Sequence, residues 1–350
     1  MTDLTRELQQ TVWDAVINRT PLIIRGGGSK DFLGQPGPGT ILSTAGHKGI
    51  ISYQPTELVL TARAGTPLTE IEMALASSNQ MLPFEPPHFS ENATFGGAVA
   101  SGLSGPIRPY TGSVRDFVLG CTMMNGKGQV LKFGGQVMKN VAGYDVSRLM
   151  AGAMGTLGLL LEISIKVLPA YPDKLCLVQQ KSPRDALDLM RSLSSKNLPL
   201  TGLAYDGDNI HIRLAGPDAA VKAAGQQLGG DKLANDDFWQ LLREQTHPFF
   251  DGRQPLWRLS LPPATPWLAQ AGKQIVDWGG GLRWLKSDDT PADLFKLAAD
   301  HDGYARLFRG GESQPRMPPL PKAMQTLHQK IKLSFDPDAI FNRDSPYQGF

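Results

Sequence analysis

The chain has 350 residues and a formal charge of +2, with 38 glycines, 27 prolines and two cysteines. That length suggests about two domains with sizeable cores. The near-balanced charge carries no basic footprint for nucleic acid, and apolar runs such as LGLLLEISI are too short and interrupted to cross a bilayer. Cys121 and Cys176 lie in apolar, strand-like runs without CxxC or metal-ligand spacing, so both are expected to be buried free thiols. The polar, mixed-charge start MTDLTRELQQ does not read as a secretory signal, so a cytoplasmic protein is expected.

In chain order, Leu4, Leu8, Val12 and Val16 form a helical stripe. A short strand over residues 22–24 then runs into RGGGSKDFLG, residues 25–34. This matches neither the P-loop nor a GxGxxG opening a helix. Two readings stand: a glycine turn joining two strands, or a backbone cradle for phosphate. Lys30 either adds charge there or is solvated. Residues 50–53 and 58–64 alternate as strands, and Thr66-Pro67 has the chemistry of a helix start, with Leu68, Ile71 and Leu75 as the buried stripe. A proline-rich connection, MLPFEPPHF, holds His88, either a hydrogen-bonding surface residue or a base.

Residues 95–120, FGGAVASGLSGPIRPYTGSVRDFVLG, contain six glycines and one carboxylate, Asp116. Glycine lets backbone N–H groups approach an anion, and few acidic side chains avoid repelling phosphate. Asn125-Gly126 between VLGCTMM and QVLKFGG signals a β-hairpin. A third glycine cluster, residues 143–169, ends in a half-buried strand with Leu161, Ile163, Ile165 and Val167 alternating against Glu162, Ser164 and Lys166. Three such clusters are hard to explain as ordinary turns.

From residue 174 the pattern becomes strand LCLVQQ, helix SPRDALDLMRSL, strands LTGLAYD and NIHIRLAG, and helix PDAAVKAAGQQL. A second round follows: LWRLSLPP, a helical stretch, IVDWGGGLRWLK, and helix TPADLFKLAADH. Such βαβ-type repetition suggests an α+β domain with an antiparallel sheet. A last helix, around residues 322–332, leads to DPDAIFNRD.

On the phrases PLIIRGGGSKDFLG, MLPFEPPHFSENATFGGAVASGLSGPIRPYTGSVRDFVLG, FGGQVMKNVAGYDVSRLMAG and IVDWGGGLRWL, the chain resembles the vanillyl-alcohol oxidase flavoprotein superfamily. Nearly end to end, it is similar to the family of FAD-binding subunits of bacterial glycolate oxidase. The resemblance implies an α+β fold: a PCMH-type FAD-binding domain over residues 1–170, a smaller α+β cap domain over 174–320, and a segment over 321–350 returning to the FAD domain.

It also implies a site. Gly26, Gly27, Gly28 and Ser29 would meet the FAD pyrophosphate through backbone N–H groups. The central stretch would add Thr94, Gly96, Gly97, Ser101, Gly102, Tyr110, Gly112, Asp116 and Val118. Gly155, Gly158 and Ile163 would line the adenosine and pyrophosphate side, with Asn342 as the matched C-terminal position. FAD is expected to be non-covalent, because Ser29 and Lys30 stand where the superfamily often has a linking histidine.

The family works with a second flavin subunit and an iron–sulfur subunit, oxidising glycolate to glyoxylate and passing electrons to an acceptor other than oxygen. The absence of a cysteine cluster fits iron–sulfur centres on another chain, and the assembly is expected at the inner face of the membrane through its partners. Oxidising a 2-hydroxy acid needs a cation for the carboxylate and a base for the hydroxyl proton. Arg108 and His88 are the candidates, with Arg306 and Arg309 as further cations, each also readable as structural. The histidines at 47, 88, 211, 247, 301 and 328 show neither HxH nor HExxH, so no metal is expected. Two alternatives stay open: a self-sufficient FAD dehydrogenase of another hydroxy acid or alcohol, and a non-catalytic subunit that keeps the FAD fold as a scaffold.

Overall fold

A computed structural model describes residues 1–34, 37–135, 144–269, 272–311, 314–345 and 347. Residues 136–143, within the FGGQVMKNVAGYDVSRLMAG phrase, lie outside the described residues. The chain divides into two compact units: residues 1–104, 113–170 and 319–350 form the first, and residues 105–112 and 171–318 the second. The short segment 105–112, placed in the FAD domain by the sequence, therefore groups with the second unit.

In the first unit, β1 (Leu22–Arg25) pairs in parallel with β2 (Thr40–Ser43). A five-stranded antiparallel sheet combines β3 (Ile50–Gln54), β4 (Val59–Arg63), β6 (Val118–Met124), β7 (Val130–Gly134) and β8 (Leu159–Lys166), in the order β3-β4-β8-β6-β7. A small ladder joins β5 (Gln80–Met81) to β9 (Leu168–Pro169). Period-two alternation explains the main sheet: Ile163 and Ile165 of β8 are fully buried against Leu60, Ala62 and the helices Leu68–Ala76 and Phe95–Ser101. Its other face is polar, with Thr61 Oγ1 and Ser164 Oγ 2.8 Å apart and Thr122 donating to Glu162 at 3.1 Å. A second apolar cluster joins the helix Thr5–Asn18 through Leu8 and Val12 to Leu159, Leu161, Ile340 and Phe341.

The second unit is one eight-stranded antiparallel sheet built from β10 (Asp173–Gln180), β11 (Leu200–Tyr205), β12 (Asn209–Gly216), β13 (Asp231–Lys232), β14 (Leu256–Ser260), β15 (Gln274–Asp277), β16 (Leu282–Lys286) and β17 (Tyr304–Arg309). Its order is β13-β10-β12-β11-β15-β16-β14-β17. The helices Pro183–Ser194 and Asp218–Leu228 cover one core, and Pro291–Ala299 covers a second around Trp257 and Leu259. Ser182 and Thr290 cap two of these helices by accepting from the N–H groups of Asp185 and Asp293.

Three local expectations need correction. Thr66 does not cap the helix Leu68–Ala76: Pro67 holds the cap position, and the Thr66 hydroxyl accepts from Gly49 N at 2.9 Å and donates to Arg63 O at 2.7 Å. No α-helix forms among the described residues between β14 and β15, where Pro262, Pro263 and Pro266 remove amide donors. The helix Asp237–Glu244, burying Phe238, Trp239 and Leu242, was not expected. No helix of the described residues is long and apolar enough to cross a membrane.

Candidate functional site

β1 delivers the chain into the first glycine loop, and the fit of that loop depends on a missing side chain. A Cβ on Gly27 would fall 1.5 Å from the Asn92 carbonyl oxygen, so only glycine lets the loop lie against the segment leading into the central stretch. That segment ends in Thr94, which caps the helix Phe95–Ser101 by accepting from Gly97 N at 3.2 Å. The third cluster turns at Gly155, whose φ of +72° favours glycine.

Asn342 ties these parts together. Its Oδ1 accepts from Ile24 N at 2.7 Å, its Nδ2 donates to Met154 O at 2.6 Å, and its own N–H donates to Leu22 O at 2.9 Å. The side chain therefore clamps β1 to the 153–158 turn.

These segments enclose a cavity of about 360 Å³, within the range of small-molecule sites. Eleven expected cofactor residues line it. Gly26, Gly27, Gly28 and Ser29 come from the first loop, and Thr94, Gly96, Gly97 and Ser101 from the second segment. Gly155, Gly158 and Asn342 complete the set. Arg25 and Lys30 bring two cations; Asp31, the one acidic residue of the lining among the described residues, is paired with Arg25. Lys30 is held rather than freely solvated, with Nζ donating to His88 O and Ser29 Oγ, each at 3.3 Å. Apolar walls come from Ile23, Ala64, Ala100 and Leu160, which resemble ordinary core residues in the sequence.

The other expected residues lie elsewhere. Gly102 terminates the helix Phe95–Ser101. Asp116 accepts from the N–H and hydroxyl of Ser113 at 2.8 and 2.7 Å, a capping box, and the Ser113 hydroxyl is the main cause of its lowered pKa. Val118 and Ile163 belong to the apolar core. His88 is not in the lining; its Nε2 lies 3.1 Å from Glu72 Oε1.

Arg108, Tyr110 and Gly112 belong to the second unit. Arg108 lies over the Trp278 ring, 4.3 Å from its centroid. Gly112 follows the one-turn helix Arg108–Thr111, and the Tyr110 hydroxyl is buried without a partner among the described residues. Burial, followed by the charge of Asp277, pushes that phenol's pKa up.

The residues around the cavity fit a dinucleotide: glycine backbone at a turn, a cationic rim, and a carboxylate already neutralised. No group of three His, Cys, Asp or Glu side chains among the described residues could hold a metal ion.

Residues 3–134 match a family model described as FAD binding domain. The chain is 48% identical over 345 residues to glycolate oxidase subunit GlcE of Escherichia coli (strain K12), covering 99% of this chain and 98% of that protein. It is 27% identical over 201 residues to glycolate oxidase subunit GlcD of Bacillus subtilis (strain 168), covering 56% of this chain and 43% of that one. Among solved structures, an alkyldihydroxyacetonephosphate synthase superposes with a TM-score of 0.69 at 15% identity, covering 96% of this chain and 74% of the other, which is a likeness of fold.

Proposed function

The chain belongs to the glycolate oxidase subunit GlcE family, and from that premise we propose that it is the FAD-binding subunit of a glycolate oxidase, oxidising glycolate to glyoxylate and passing electrons to an acceptor other than oxygen. The observation that carries this reading is the convergence of three glycine segments and Asn342 on one cavity, in a chain related end to end to a glycolate oxidase subunit.

When bound, FAD supplies the two-electron acceptor; the protein's part is to hold and orient it. Residues 26–29 offer backbone N–H groups, and Lys30 offsets phosphate charge while Arg25 keeps Asp31 neutralised. Thr94 fixes the start of the helix Phe95–Ser101, and Asn342 holds β1 against the 153–158 turn. Nanomolar retention of a cofactor corresponds to about 12 kcal/mol, which several segments together can supply and one glycine turn cannot. Ser29 and Lys30 beside the first loop provide no histidine for a covalent link, so the cofactor is held non-covalently.

Among the described residues the lining offers no histidine, and its single carboxylate is paired with Arg25. A second flavin subunit and an iron–sulfur subunit complete the pathway. This chain has only Cys121 and Cys176, buried in different units, whereas a cluster needs about four ligands. We place the assembly in the cytoplasm, at the membrane through its partners.

The test is an anaerobic absorption spectrum of the flavin-loaded chain with glycolate, alone and then with its partner subunits. Bleaching of this chain's flavin in the assembly supports the reading. A flavin that stays oxidised while the assembly turns over glycolate contradicts it.

A further inference from the structure

The proline-rich loop over residues 82–89 grips the first glycine loop at its cation. Lys30 lines the cofactor cavity, and its Nζ donates to His88 O and Ser29 Oγ, each at 3.3 Å. The same ammonium stands 5.5 Å from the centroid of the Phe89 ring, within cation–π range. Phe32, two residues after Lys30, packs edge-on against that ring with centroids 5.4 Å apart. Two consecutive residues thus hold one ammonium, His88 by its carbonyl and Phe89 by its ring.

The loop that brings them there is strained. Glu85 and Phe89 have φ of +43° and +59°, in the left-handed region that side chains of this bulk rarely adopt. Pro86 and Pro87, which lie between them, have φ locked by their rings. The φ of Phe89 sets the angle between the His88 peptide and the Phe89 side chain, so a relaxed turn would draw the ring away from the carbonyl and separate the two contacts to Lys30. Strain of this kind persists only where neighbouring structure fixes it. Phe84 does so from one end, fully buried in the core of the first unit. At the other end the His88 ring is tied to the helix Leu68–Ala76, with Nε2 3.1 Å from Glu72 Oε1. A long lysine side chain loses much rotamer freedom when it is ordered; here that loss precedes the arrival of the cofactor.

We infer that Phe89, with the Glu72–His88 pair behind it, is a positioning residue for the cofactor diphosphate, acting through Lys30. The inference rests on the cofactor role given to the cavity above and deepens it.

The test is a fluorescence titration of FAD into the flavin-free full-length chain, repeated over a range of KCl concentrations. Lys30→Met should bind FAD about 10-fold more weakly at low salt, as loss of a charge-assisted contact implies. Phe89→Leu should lose about 3-fold. Both losses should shrink as KCl rises, because the contact they weaken is ionic. The double variant should bind no more weakly than Lys30→Met alone, since the ring works through the ammonium. Phe89→Tyr keeps the ring and should restore wild-type binding. Glu72→Ala should show the Phe89→Leu pattern, and it replaces that variant if Phe89→Leu does not fold. Met73→Gln, exposed on the same helix as Glu72, should bind as wild type.

A Phe89→Leu loss that is the same at every salt concentration, or that adds to the Lys30→Met loss in the double variant, overturns the inference, because the ring then supports the loop and not the cation. Wild-type FAD affinity in Lys30→Met or in Phe89→Leu overturns it as well. A folded wild-type chain that binds no FAD at any salt concentration contradicts the functional reading itself.

Discussion

Lys332 and Asp336, one helical turn apart, form an ion pair of 2.7 Å that is almost wholly removed from solvent. Lys332 Nζ also donates to Thr156 O and Phe341 O, each at 2.7 Å, and Asp336 accepts from the N–H groups of Ile340 and Phe341. The pair therefore joins the last helix to the third glycine segment and to the strand-like return that carries Asn342. Removing one partner strands a buried charge. Lys332→Met is expected to cost about 3–5 kcal/mol of stability, read by urea unfolding, and to lower flavin retention through the 153–158 turn. An unchanged midpoint would show that the pair does not hold these segments.

Gly27 leaves no room for a side chain, given the 1.5 Å approach to Asn92 O. Gly27→Val must displace the first loop, and the expected result is a folded protein without flavin, scored by absorbance per chain. Full flavin content in this variant would remove the first loop from the cofactor site.

Asn342→Ala withdraws partners from Ile24 N and Met154 O at once. Leaving half-buried backbone groups unsatisfied costs about 1–3 kcal/mol each. Thermal unfolding should shift down, and flavin should dissociate faster. Wild-type dissociation together with wild-type stability would refute the clamp.

Much of this architecture was legible in the sequence, because its signals are local. The Asn125-Gly126 hairpin appears as β6 and β7, and the alternation from Leu161 to Val167 lies in β8. What escaped depends on long-range partners. Lys332 has the local look of a solvated helical lysine, yet its acceptors lie as far away as Thr156. Arg258 reads as one polar residue in an apolar strand until the ladder sets it against Arg306 and the turn brings in Trp278. The helix Asp237–Glu244 has only eight residues, so its buried Phe238, Trp239 and Leu242 span barely two turns and show little periodicity. Asp116 lies in the glycine-rich stretch but is spent on capping Ser113, which sequence position alone does not distinguish from ligand contact.

Asp206 gives a pH signature in the second unit. Burial alone would raise its carboxyl, but the hydrogen bond with His211 at 2.8 Å and the N–H groups of Asn209 and Asp208 bring it from 3.8 to about 2. A carboxylate lowered on folding adds stability above its unfolded pKa, and loses it as pH falls through the folded value. Between pH 4 and 2 wild type should therefore lose up to about 2 kcal/mol more than Asp206→Asn. Parallel pH dependences in the two proteins would exclude this pair as the source.

Cys121 and Cys176 are both buried, and burial pushes the Cys121 thiol up to about 12. Neither thiol should react with iodoacetamide at pH 8 until the chain is unfolded, when mass spectrometry should show two additions. Rapid labelling of the native protein would place a cysteine at the surface.

The most direct test of the central claim is the absorption spectrum of the purified full-length chain after incubation with FAD and removal of the excess. The account predicts one flavin per chain, released intact into the supernatant by acid. A chain that retains no flavin would contradict it.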